Sequence, residues 1–328
     1  MPFIVKPITD CAACQHGHCV SYIREQSKKM KDRDTQYRLA QITGMACAFD
    51  SWVPGEPGCP VSADKSIGSY LEQLVENARQ AGGHMEWISA DFFGKTEKKF
   101  FLTEAQIGKV RGDVFETICR AILWNCCVRH NQTPGARRIA MFSLGDNYDL
   151  LELFTPAAGQ KLQRFTTELL ARGITLSYST PDLVAVDISS LDPATQAHFA
   201  PLIQNLSAGS QNRMNTARLQ VRKKLTPQNV ILACGLKTSI RSDRMFQFLF
   251  EANAWKYLWR RVFEVRPCPY HSVIGQTFGA DPDRLRSIDF SSVEGASTAT
   301  RAIDGMTQIS TPGDLKRWFA TAVQPVAR

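Results

Sequence analysis

Two neighbouring segments constrain this chain most: the stretch Val230-Ile-Leu-Ala-Cys-Gly-Leu236 and the segment Met245–Val262 that follows it. The first is the longest uninterrupted apolar run in the sequence, preceded by Pro227 and closed by Lys237 and a polar loop. Its length and flanks predict an interior strand over Asn229–Lys237. The second segment has helical spacing but is apolar nearly all round. A strand and a helix that both lack a polar face must be buried against other layers, so the chain needs a sheet covered on both sides. With 328 residues, 44% of them hydrophobic, there is enough chain to build that core. The apolar run is far too short to cross a bilayer.

The remaining pattern supplies helices and strands in alternation. The N-terminal third reads as helical at Val20–Lys31, Thr35–Ala48 and Ile67–Gln80. A helix is expected over Gly112–Arg129, from the 3.6-residue spacing of Val114, Phe115, Ile118, Ala121 and Ile122. Arg138–Leu144 reads as a strand, and Gly159–Arg172 as a helix stopped by Gly173. Ile174–Ile188 carries a strand pattern interrupted at Thr180-Pro181-Asp182, and two helical stretches follow it. Asp281–Ile288, Ala299–Asp304 and Asp314–Val323 read as further short elements. The expectation is an α/β (α+β) fold, a central mixed sheet flanked by helices with a helical N-terminal region. It is expected to form a single domain over 1–328, with an N-terminal helical subregion at 1–85 and a catalytic core at 110–265.

Charge is concentrated in one place. The chain has 39 Lys+Arg against 31 Asp+Glu, a net +8. Between Ser207 and Arg261 eleven basic residues face only Asp243 and Glu251, a net +9 that leaves the rest of the chain at −1. A polyanionic partner fits such a block, although a basic run can also be a solvated helix face. The first residues lack the apolar core of a secretory signal, so a cytoplasmic protein with reduced thiols is expected from its ten cysteines. One cluster, Cys11, Cys14, His16, His18 and Cys19, has zinc-ligand chemistry. Five candidate ligands within nine residues rarely wrap one tetrahedral ion, so a remote ligand such as Cys47, Cys59 or His84 would be needed.

Three charges stand in apolar surroundings. Asp182 opens the strand Leu183–Ile188, Lys237 closes the strand from Val230, and Glu251 lies inside the apolar helix. A buried carboxylate needs a counter-charge or a cation. A strand period of two puts Lys237 on the face of Gly235, Ala233 and Ile231, where small residues leave room for something to approach. Carboxylates that hold Mg²⁺, beside a lysine, make the residue set of a metal-dependent phosphodiester hydrolase. The same three residues could equally form a structural ion-pair network.

Pro181-Asp182, then 55 positions to Lys237 and 14 more to Glu251, resembles the PD-(D/E)xK nuclease motif. The acid usual two residues before the lysine is missing, since Gly235 stands there. In type II restriction endonucleases that cut sites with a CCGG core, a glutamate on the following helix replaces it, and Glu251 matches that swap. The segments Lys237–Asn253, Gly112–Glu116, Trp124–Cys126 and Ser179–Val186 resemble this family, most closely its SgrAI-type branch.

The resemblance implies that Asp182, Glu251 and Glu116 hold Mg²⁺ and that Lys237 orients or activates water. It implies base reading of the CCGG core by Arg241, Asp243 and Arg244, through arginine on guanine and aspartate on cytosine. Ser242 or Asp243 could also simply cap the next helix. Arg33 and Lys109 match positions near the outer base pairs, or contact phosphate instead. Arg222, Lys223 and Ser239 suit the DNA backbone. The implied activity is Mg²⁺-dependent cleavage of a palindromic duplex, of the form CRCCGGYG. It leaves 5′-phosphates and four-base 5′ overhangs and belongs to a prokaryotic restriction–modification system. A palindrome calls for a homodimer, or a tetramer or larger assembly on DNA. The alternative from another class is a non-catalytic or zinc-stabilised DNA-binding protein on the same fold.

Overall fold

In the computed structural model the described residues are 65–72, 104–144, 152–175, 180–204, 210–241, 245–278, 287–288 and 301–324. The chain divides into two compact units, Met1–Cys119 and Arg120–Arg328. The zinc-type cluster at Cys11–Cys19 and the predicted helices before residue 65 lie outside the described residues.

In the first unit, residues 67–72 are helical and bury Ile67, Tyr70 and Leu71. Helix α1, Glu104–Asn131, begins in this unit, where Arg111 is ion-paired with Glu72. It is 28 residues long and extends the predicted helix at both ends.

The second unit is built on five strands: β1 Ile139–Ser143, β2 Leu183–Asp187, β3 Val230–Arg241, β4 Tyr270–Phe278 and β5 Gly305–Gln308. Their spatial order is β1-β2-β3-β4-β5. Strand β2 runs antiparallel to both β1 and β3, while β3, β4 and β5 are parallel, so the sheet is mixed as expected. Around it lie α2 (Pro156–Ala171), α3 (Pro193–Gln204), α4 (Ser210–Gln220), α5 (Met245–Tyr257) and α6 (Pro312–Ala322). The parallel step from β3 to β4 needs a crossover, and α5 with a π-helical turn, Leu258–Val262, supplies it.

Alternation along the strands sorts the sheet into two buried faces. Ala140, Phe142, Val184, Val186, Ala233, Tyr270 and Ile274 share one core with Phe248, Ala252, Trp255 and Trp259 from the crossover. Met141, Ala185, Leu232, Cys234 and Val273 are buried on the other face. That two-sided burial is why the sequence around β3 shows no polar stripe. Helix α2 ends as predicted at Gly173, whose φ of +72° suits a residue without a Cβ. Its N–H bonds the Leu170 carbonyl and the Ile174 N–H bonds Leu169, a complete Schellman closure.

Strand β3 runs four residues past its predicted end, to Arg241, because β4 pairs with it as far as Phe278. Neither β4 nor β5 was expected. Strand β4, Tyr-His-Ser-Val-Ile-Gly-Gln-Thr-Phe, mixes polar residues into a buried parallel strand and so lacks both an apolar run and clean alternation. Cys119, Cys126, Cys127, Cys234 and Cys268 are free and buried, the behaviour expected of a small hydrophobic side chain.

Candidate active site

The antiparallel register of β2 on β3 explains how residues 55 positions apart meet. Leu183 lies opposite Cys234, so Asp182, one step before the strand, stands beside the backbone of Gly235 and Leu236. Its Oδ2 accepts the Leu236 N–H at 2.6 Å and lies 3.6 Å from Lys237 Nζ. Both side chains are partly open, at 22% exposure for Asp182 and 31% for Lys237. The pair therefore faces a space that solvent or substrate can enter. Its Coulomb energy is the modest one of a partly solvated bridge, so its value lies in placement rather than stability.

Glu251 reaches the same region from α5, which packs over β3 and β4. It is 7% exposed. Two neutral donors hold it: Tyr270 Oη–H to Oε2 at 3.0 Å and Gln247 Nε2–H to Oε1 at 3.0 Å. Burial, and then the negative charges of Glu251 and Asp182, push the Tyr270 phenol well above its ordinary pKa. The phenol thus stays protonated, donates to Glu251, and lies within electrostatic reach of both carboxylates.

This arrangement fits a hard divalent cation. The donors are carboxylate oxygens rather than thiolates or imidazoles, and each oxygen keeps lone-pair capacity beyond its hydrogen bonds. Among the described residues no three of His, Cys, Asp and Glu gather as a ready-made metal cage.

The other sequence candidates are distributed as follows. Ser239 is half-buried on β3 beside Gln276, two residues beyond Lys237. Arg241 ends the same strand, opposite Phe278, while Asp243 and Arg244 lie outside the described residues, as does Arg33. Glu116 is half-buried and Lys109 lies nearer the helix start, both on the part of α1 in the first unit. Arg222 and Lys223 are not brought to the Asp182–Lys237 pair. They occupy the turn before β3, at the opposite end of that strand. Arg222 Nε pairs there with Glu152 at 3.1 Å, and Lys223 has a φ of +59°.

Sequence reasoning missed Tyr270 and Gln247. The signal for Gln247 was available, since it stands one helical turn before Glu251. Tyr270 had no local signal, because its place depends on the parallel pairing of β4 with β3. Also missed was Lys256, a lysine only 1% exposed whose Nζ bonds Asp304 Oδ1 at 2.9 Å and the Arg301 carbonyl.

A family model described as Cfr10I/Bse634I restriction endonuclease matches residues 65–325. The chain belongs to that family. Its match spans Asp182, Lys237 and Glu251 and begins after the Cys11–Cys19 cluster, so it lends zinc no support. Members are type II restriction endonucleases, and the chain is an enzyme of that kind. Among solved structures, one described as the crystal structure of Type IIF restriction endonuclease Bse634I with cognate DNA matches with a TM-score of 0.67. It is 16% identical, over 87% of this chain and 92% of that one. A second, described as Bse634I restriction endonuclease, matches with a TM-score of 0.66 and 18% identity over the same shares. At such identities the likeness is one of fold, and it agrees with the mixed α/β sheet. No curated protein matches the chain.

Proposed function

We propose that this member of the Cfr10I/Bse634I family hydrolyses double-stranded DNA with Mg²⁺ at a palindromic site containing CCGG, as SgrAI-type enzymes do. The observation that carries the reading is the meeting of Asp182 and Lys237 across β2 and β3, with Glu251 delivered by the next helix. Asp182 and Glu251 are the residues that would hold the ion, which when bound polarises the scissile phosphate and acidifies a water. Lys237 directs its ammonium at the attacking water and steadies charge that builds on the phosphoryl oxygens. The Leu236 N–H fixes Asp182, and Asp182 in turn keeps Lys237 aimed. Water oxygen bonds to phosphorus as the bond to the 3′ oxygen breaks, leaving a 3′-hydroxyl and a 5′-phosphate.

Arg241, with Asp243 and Arg244 just beyond it, follows the catalytic lysine by only a few residues. A strand that leads from the lysine straight into base-reading side chains couples recognition to the scissile bond. Cutting both strands of a palindrome requires two such sites, and hence a homodimer. The proposal includes four-base 5′ overhangs. The test is digestion of plasmid DNA with Mg²⁺ or EDTA, by the native protein and by Lys237→Ala. Mg²⁺-dependent cutting that vanishes in the variant is expected. Full activity of Lys237→Ala would remove the lysine from the mechanism.

A further inference from the structure

Strand β3 carries no side chain at Gly235, two residues before Lys237 and beside the start of β4. A Cβ placed there would lie 2.8 Å from the Tyr270 hydroxyl and 3.5 Å from Phe248 Cε1. The first distance is a clash, and the phenol has little freedom to retreat. Tyr270 is 1% exposed and held at both ends. Its hydroxyl donates to Glu251 Oε2 at 3.0 Å, and its backbone N–H donates to Asp304 Oδ2 at 2.8 Å. Asp304 also grips Lys256, on the same helix as Glu251. Helix α5 and strand β4 are therefore tied twice, once through each end of Tyr270.

The second hydrogen bond to Glu251 does not do the same work. Gln247 lies one turn earlier on the same helix and is itself exposed, so it cannot fix the carboxylate relative to the sheet. Among the described residues, Tyr270 is the one hydrogen-bond partner that joins Glu251 to the strand beside Lys237. A side chain at position 235 and the Tyr270 hydroxyl compete for one volume, which the hydroxyl occupies.

We propose that Gly235 and Tyr270 together form the seat of Glu251, the glycine admitting the hydroxyl and the hydroxyl fixing how the carboxylate faces the metal position. Tyr270 is then a positioning residue, and glycine at 235 is a spatial requirement of the seat. The metal-directed half of this inference rests on Glu251 as a Mg²⁺ ligand.

The test compares full-length native protein with Tyr270→Phe, Gly235→Ala and the double variant. Thermal unfolding in EDTA reads the seat without activity. Gly235→Ala should lower Tm by about 5 °C when tyrosine is present, as overpacking does, and by less than half of that with phenylalanine. Tyr270→Phe should weaken Mn²⁺ binding, read by electron paramagnetic resonance, about tenfold, and raise the Mg²⁺ concentration for half-maximal cleavage similarly. Adding Gly235→Ala to it should cost little more. Equal Tm penalties in both backgrounds would overturn the shared volume, and native Mn²⁺ affinity in Tyr270→Phe would overturn the positioning role. If the native protein does not cleave DNA with Mg²⁺, the proposed activity fails, while unfolding in EDTA still decides the seat.

Discussion

Replacing Lys256 by methionine removes an ammonium from the interior while keeping its stem. The side chain is 2% exposed, and Nζ makes contacts of 2.9 and 2.8 Å to the two Asp304 oxygens as well as one to the Arg301 carbonyl. Breaking a fully buried pair costs about 3–5 kcal/mol, because the partner charge is left stranded. Here the stranded partner is 34% exposed and can recruit water. The expected loss is therefore smaller, about 2–4 kcal/mol. For a unit of the size of Arg120–Arg328 that lowers Tm by about 5–12 °C. The assay is thermal unfolding of the full chain, with Lys256→Met, Asp304→Asn and the double variant forming a cycle. The double variant buries no unpaired charge, so it should regain part of the loss, with a coupling of about 1–3 kcal/mol. A Tm change below about 2 °C for Lys256→Met, or a double variant as weak as the sum of the singles, would refute the argument.

Asp182→Asn keeps the acceptor for the Leu236 N–H but removes the charge facing Lys237, so cleavage should fall by at least a hundredfold while gel-shift binding of a cognate duplex persists. Joint loss of binding and cleavage would instead mark Asp182 as structural. His271, pushed by burial from 6.5 down to about 4, is held neutral and accepts the Trp318 indole N–H at 3.2 Å. The folded chain then binds its proton more weakly than the unfolded one. Stability from this site is complete above pH 6.5 and declines by up to about 3 kcal/mol as pH falls towards 4. Denaturation curves of native protein and His271→Gln should converge across that window, and parallel curves would contradict the assignment.

What was legible in the sequence is what local pattern encodes. The apolar run of β3, the apolar helix α5 and the left-handed stop at Gly173 each carry their own signal, and the structure follows them, except that α5 is not buried all round: Phe246 and Phe250 on it are exposed. The Asp182–Lys237 pair was legible because a turn residue before one strand and a charge closing another stand out against apolar neighbours. Strand β4 was not, since half-buried His271 and buried Ser272 break the pattern on which strand recognition depends. The missing β4 hid the rest of the site. Small residues at 233 and 235 indicated room beside the lysine. The occupant of that room, the Tyr270 hydroxyl, comes from a strand whose pairing no local pattern announces. Glu251 is buried as expected, but among the described residues two neutral donors rather than a counter-charge hold it, and sequence spacing could not name Tyr270 as one of them.

The most direct test of the central claim is sequencing of the ends produced when the purified protein digests DNA of known sequence with Mg²⁺. Cuts at one palindromic site with a CCGG core, bearing 5′-phosphates and four-base 5′ overhangs, are expected, and none in EDTA. Cutting in EDTA, or ends scattered over sites that share no such core, would contradict that claim.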